Sequence, residues 1–194
     1  MRIDLPRPDT VGGPSFTETL ARRRSVREFA DEPLTPDQLS QLLWAAQGVS
    51  SDSGKRTAPS AGATYPLELY VVTGGGRYRY EPTDHGLEQL ADGDLRAELS
   101  RAAHEQPSVA EAAATFAIIA VSARTEQKYG DRAVSFVKLD AGHAAQNLLL
   151  QAVALGLGGV PIGSFSESQV AEVLDLPPGH EPLYMVTIGR PNDA

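Results

Sequence analysis

The stretch from Ser135 to Leu157 constrains this chain more than any other. It reads as the longest helix, and its second half, Ala144 to Leu157, is apolar nearly all round apart from Gln146, Asn147 and Gln151. A helix with no polar face must be covered on every side. For a chain of 194 residues that cover is most easily found at a subunit interface.

The strands expected to pack with it are short. Leu67 to Thr73 alternates, Gly74-Gly75-Gly76 turns the chain, and Arg77 to Glu81 returns as a second strand. Thr115 to Ser122 is a continuously apolar, buried strand, and Leu183 to Ile188 is a last one, ending in Gly189-Arg190-Pro191. A short helix starts near Ser15 or Thr17 and carries Phe16 and Leu20. Thr35-Pro36-Asp37-Gln38 is a capping box for another, which buries Leu39, Leu42, Leu43 and Ala46 and stops at Gly48. Trp44 lies off that stripe, placed to meet a partner surface. Ser166 to Gln169 caps a further helix. Residues 84–114 read as short helices around Leu87, Leu90, Leu95 and Leu99, and Gly156 to Gly163 as a glycine loop. Residues 1–14, with Pro6, Pro8 and Pro14, read as an extended arm preceding a single domain that spans the chain.

With 41% hydrophobic and 22% charged residues, the composition is that of a globular protein with material for a core. Twenty-five acids against 17 bases leave a net charge of −8. That balance argues against a nucleic-acid or membrane-surface binder, which would show a spread basic face. No apolar run approaches membrane-spanning length, and a cytoplasmic location is expected. The chain has no cysteine, so disulfides, thiolate nucleophiles and cysteine-based zinc sites are ruled out within it.

Against this acidic background, Arg22-Arg23-Arg24-Ser25-Val26-Arg27 gathers four of the 17 basic residues beside a hydroxyl. Guanidinium forks next to a serine suit a phosphate, and a local cluster on an acidic chain fits a small anion better than a polymer. Taken alone, the run is also what a solvated basic turn looks like. From Ser50 to Thr64 the chain has no period. Ser60-Ala61-Gly62-Ala63 would let backbone N–H groups approach a flat ligand, and disorder is the competing reading.

Several familiar patterns fail. Gly156-Leu157-Gly158-Gly159-Val160-Pro161 begins like a dinucleotide fingerprint but has Pro161 at the third glycine and follows a helix. Gly48 to Arg56 is one residue too long for a phosphate-binding loop, and Arg56 replaces its hydroxyl residue. Asp140 and His143 lie one helical turn apart, but two ligands without a third do not make a metal site, and none is expected.

The surviving pieces, in order, resemble the FMN-dependent nitroreductase family. They are Arg23 to Phe29, the Leu34 to Gly48 helix, Pro59-Ser60-Ala61-Gly62-Ala63-Thr64-Tyr65-Pro66, Gly142-His143-Ala144-Ala145-Gln146-Asn147, Ala154 to Gly158 and Gly189-Arg190-Pro191. The Ser60 to Tyr70 segment and the Gly-His-Ala-Ala-Gln-Asn run are most similar to the SagB-type dehydrogenase branch, which includes azoline oxidases of peptide-tailoring clusters. The resemblance implies an α+β fold with a mostly antiparallel central sheet flanked by helices, in an intertwined homodimer with two FMN sites. It implies Arg23 and Ser25 on the FMN phosphate, joined by Arg190, with Arg24 along the ribityl chain or phosphate. Arg27 would sit at the pyrimidine edge, where a fixed cation stabilises reduced, anionic flavin. Pro59, Ser60, Ala61 and Gly62 of the other subunit would line the ring, and backbone N–H groups around Gly163 and Ser164 would face N5. Gln127-Lys128-Tyr129-Gly130 resembles the region holding a Lys-Tyr pair implicated in proton removal in azoline oxidases; an exposed polar turn is the plainer reading. Two departures bear on substrate: Ile188 stands where many relatives carry Lys, and Gly163 where some carry Glu. The implied function is an FMN-dependent oxidoreductase passing hydride through N5. It would either oxidise a peptide-derived or heterocyclic substrate, or take hydride from NAD(P)H to reduce a nitro compound or quinone. A flavin-binding module without turnover, or a subunit of a larger complex, is the alternative of another class.

Overall fold

A computed structural model describes residues 1–192. Seven strands form one sheet with every neighbouring pair antiparallel, in the order β1-β4-β3-β2-β5-β7-β6. They are β1 (Arg2–Asp4), β2 (Leu67–Thr73), β3 (Gly76–Glu81), β4 (Gly86–Asp92), β5 (Ala114–Ala120), β6 (Gly158–Ile162) and β7 (Glu181–Gly189). The helices are α1 (Phe16–Arg22), α2 (Pro36–Gln47), α3 (Arg96–Ala102), α4 (Pro107–Glu111), α5 (Ala123–Tyr129), α6 (Ala133–Ala154) and α7 (Glu167–Val173).

The central strand β5 explains the layering. All seven of its residues are buried, because helices cover both faces of the sheet. Phe116 and Ile118 belong to the core shared with Leu42 and Leu43 of α2 and with Ala144, Leu148 and Leu149 of α6. Ala117 and Ile119 point the other way, to Leu99 of α3, Val109 of α4 and Val170 of α7. Each fully buried aliphatic or aromatic side chain contributes roughly 1.5–3 kcal/mol, so these two layers carry most of the stability.

Helix starts follow the local chemistry. Thr35 accepts from Gln38 N while the Gln38 side chain accepts from Thr35 N, completing the capping box, and Ser15 and Ser166 cap α1 and α7. Three expectations are corrected. Residues 1–14 are not wholly an arm, since β1 adds an edge strand to β4. Leu87 and Leu90 lie on β4 and not on a helix. The expected glycine loop contains β6, whose Pro161 is tolerated because β6 is an edge strand.

The α6 helix is not buried on all sides within the protomer. Val134 and Leu139 are exposed at 51% and 60%, and on α1 Phe16 and Leu20 at 69% and 44%. Trp44 is half-buried, its Nε1 donating to Val49 O at 3.3 Å. Among the described residues no helix is long and apolar enough to cross a membrane.

Candidate functional site

The arginine segment leaves α1 at Arg23 and runs along the end of the sheet. Ser25 bridges Gly159 in parallel, Val26 N donates to Gly159 O at 3.1 Å, and Ala30 N donates to Arg190 O at 2.9 Å. Phe29 pairs with Pro191. Residues from the start of the chain and from its end therefore meet at one corner, formed by the first residues of β6 and the last of β7. Gly158 makes this approach possible: a Cβ there would stand 2.6 Å from Val26 Cγ2. In the sequence Gly158 shows as part of a failed fingerprint and of the Ala154 to Gly158 turn; in the structure it seats the arginine segment.

The guanidiniums at the corner are not equally committed. Arg22 pairs with Glu18 one turn back at 3.2 Å, and Arg24 folds onto the carbonyls of Ala21 and Arg23 at 3.0 and 2.7 Å. Arg190 Nε lies 2.6 Å from Glu32, in an exposed pair of the kind that contributes little. Among the described residues, Arg23 and Arg27 have no ion-pair partner. Ser25 is exposed beside them. This donor set fits a phosphate, provided Arg190 exchanges Glu32 for it.

Gly163 and Ser164 follow β6 at its other end, both exposed. A five-residue strand separates them from Gly158, roughly 16 Å at about 3.3 Å per residue. Ser164 O accepts from Gln106 Nε2 at 2.9 Å, which fixes the backbone there. A Cβ on Gly163 would meet Tyr184 Cε2 at 3.6 Å, an ordinary van der Waals contact, so a side chain there would fit without displacing a neighbour. The arginine corner and the Gly163–Ser164 backbone thus stand at opposite ends of β6.

The Ser60 segment is held, not loose. Tyr65 N donates to Ser60 Oγ at 3.0 Å, and Thr64 Oγ1 shares a 2.8 Å hydrogen bond with Thr125 Oγ1. Gly62, Ala63 and Tyr65 all have positive φ, at 60°, 53° and 45°. Such backbone costs of order 1 kcal/mol or more for each non-glycine residue and persists because its surroundings fix it. Pro59 and Gly62 are exposed and Ser60 and Ala61 half-buried.

Lys128 and Tyr129 are brought to this same turn. They end α5, with Lys128 Nζ 3.5 Å from Gly62 O and the Tyr129 ring edge-on to Phe136 at 4.9 Å. A Cβ on Gly62 would fall 2.6 Å from Tyr129 Oη and 2.7 Å from Lys128 Nζ. Glycine is therefore favoured there by φ, and a side chain would also have to displace the tips of Lys128 and Tyr129.

Asp140 supports the turn from below, a role the sequence did not disclose. The residue is 4% exposed; Oδ1 accepts from Ala61 N at 3.4 Å, while Oδ2 has no partner. His143, one turn on, is exposed. Burial raises the Asp140 pKa, with the hydrogen bonds and His143 opposing. A carboxyl whose folded pKa lies above its unfolded one contributes stability at low pH that is lost as pH rises through the folded value. Asp140→Asn keeps an acceptor without the charge, so its Tm relative to wild type is expected to climb as pH rises above the ordinary carboxylate range. A difference independent of pH, by calorimetry across that range, would show that Asp140 does not titrate differently on folding.

Comparison with known proteins identifies the family. The nitroreductase family model matches residues 20–190, and the chain belongs to that family. A Methanocaldococcus jannaschii protein, described provisionally as a nitroreductase, is 40% identical over 98% of this chain and 96% of its own length. The NADPH-flavin oxidoreductase of Vibrio harveyi is 30% identical over 90% of this chain, which spans only 65% of that enzyme. A crystal structure from Ralstonia eutropha, also a provisional nitroreductase, superposes with a TM-score of 0.90 at 35% identity, covering 100% of this chain and 90% of the other. One chain of the Escherichia coli microcin synthetase McbBCD complex, at 24% identity and a TM-score of 0.78 over 97% of this chain and 77% of its own, shares the fold.

Proposed function

We propose that the protein is an FMN-dependent oxidoreductase that works as a homodimer and is reduced by a nicotinamide. Its family and its likeness to the Vibrio harveyi NADPH-flavin oxidoreductase support the reaction class. The observation that carries the site is the corner where the segment holding Arg23, Ser25 and Arg27 is tied to Gly159 through Ser25 and Val26 and to Arg190 through Ala30. Arg23, Ser25 and Arg190 bind the phosphate, Arg24 lies by the ribityl chain or phosphate, and Arg27 reaches the pyrimidine edge. Backbone N–H groups around Gly163 and Ser164 orient the ring at N5, and Pro59 to Gly62 of the second copy cover it and exclude water. FMN, when bound, supplies hydride transfer at N5.

A second reading, oxidation of a peptide-derived heterocycle as in the SagB-type branch, is favoured by Lys128 and Tyr129 abutting Gly62. They would there hold or accept a proton from substrate beside the ring. Anaerobic stopped-flow mixing with NADPH separates the two. Rapid bleaching of the flavin is expected, with Lys128→Met leaving its rate unchanged; bleaching slower than any plausible turnover would favour the second reading.

A further inference from the structure

Behind the Ser60–Thr64 turn lies a separate cavity of about 530 Å³. It sits between the start of β2, the strand β3, Gln47 at the end of α2 and Arg124 of α5. Three guanidiniums and two carboxylates line it: Arg56, Arg79, Arg124, Glu68 and Glu81. Four of these charges are matched. Arg124 Nη2 donates to Glu68 Oε1, and Arg79 Nη2 lies 2.8 Å from Glu81 and 2.8 Å from Glu88. Glu68 Oε2 is approached further by His180 at 3.4 Å and Arg79 at 3.8 Å.

Arg56 is left over. Its Nη1 donates only to neutral acceptors, Gln47 Oε1 at 2.9 Å and Leu67 O at 3.5 Å, and its guanidinium carbon stands 4.7 Å from the Tyr65 ring centre. Among the described residues no carboxylate comes within ion-pair distance of it. Burial and the neighbouring Arg124 charge both lower its pKa. A half-buried guanidinium with unused donors and no carboxylate partner, facing a cavity, calls for an anion with two acceptor oxygens. Tyr65 and Tyr80 add ring walls, which suit an organic acid better than a bare inorganic ion.

We propose that this cavity binds a small organic carboxylate, gripped by the Arg56 fork with Arg124 supplying a second charge and the two tyrosines flanking its apolar part. Tyr65 N is hydrogen-bonded to Ser60 Oγ, so an occupant lies one hydrogen bond from the turn assigned to the flavin. That link rests on the function proposed above; the binding itself does not.

Calorimetric titration of the holoprotein with benzoate tests it. Saturable binding at one site per chain is expected, weakened at least tenfold by Arg56→Gln and by Arg124→Gln, with Arg56→Lys intermediate because it keeps the charge and loses the fork. Should Arg56→Gln fail to fold, Arg56→Lys and Arg124→Gln carry the test. Hippurate, run in parallel, distinguishes a free acid from the carboxylate of an acyl-amino acid, and tighter binding of either supports the site. Benzoate affinity unchanged in the arginine variants, or inorganic phosphate binding more tightly than both acids, would overturn it. A flavin difference spectrum on saturation is expected too. Binding without one would support the carboxylate site and count against the placing of the Ser60 turn on the ring.

Discussion

Replacing Arg23 and Arg190 together by alanine is expected to strip FMN from the protein while leaving the protomer folded. Neither side chain is buried in the core, and the backbone hydrogen bonds that seat Val26 on Gly159 and Ala30 on Arg190 survive truncation. A hydrogen bond to a charged group contributes about 1.5–3 kcal/mol. Two lost together amount to ~3–6 kcal/mol, or roughly a hundred- to ten-thousand-fold in Kd. The lower end is expected, because Arg190 must first leave Glu32. Fluorescence titration of apoprotein with FMN gives the affinity and circular dichroism the fold. An affinity within threefold of wild type would remove the arginine corner from the cofactor site.

Leu139→Glu is expected to have a comparable effect from far outside that corner. Leu139 stands out from α6 with Val134, both exposed, and is not among the residues of the protomer's own core. In the proposed homodimer this exposed apolar side chain is expected at the interface, where a carboxylate taken out of water costs several kcal/mol, enough to release the protomers at micromolar concentration. If each FMN needs the Ser60 turn of the second copy, the monomer also loses its flavin. Sedimentation velocity followed at a flavin wavelength reads both at once. A Leu139→Glu protein that stays dimeric, or a yellow monomer, would refute the shared site.

How far the sequence disclosed these features follows from where each signal resides. Capping residues act within four positions, so Ser15, Thr35 and Ser166 marked their helices correctly. Strand β5 was legible because burial on both faces leaves an unbroken apolar run. Strand β4 was not: Gly86 to Asp92 is rich in Leu, Glu, Gln and Ala, which favour helix, and pairing with β1 and β3 overrides that preference. With β4 misread, β1 had no visible partner. In β6, two glycines and a proline hid a strand whose composition answers to its neighbours, since Gly158 must admit Val26.

The site divides in the same way. Its charged residues were visible by type and clustering, and Arg190 by its place in a closing Gly-Arg-Pro. What joins them, Ser25 and Val26 on Gly159, is long-range pairing that no local pattern encodes. Asp140 shows in the sequence only as half of a weak metal pair, because its partner Ala61 N lies 79 positions away in the chain. The Ser60 turn, equally open to disorder by composition, proves to be fixed through Asp140, Thr125 and Tyr65.

The most direct test of the whole account is the visible absorption spectrum of the protein as purified, with flavin and protein quantified after denaturation. Yellow protein releasing FMN at one equivalent per chain is the expected result. Colourless protein that takes up no FMN on titration would contradict it.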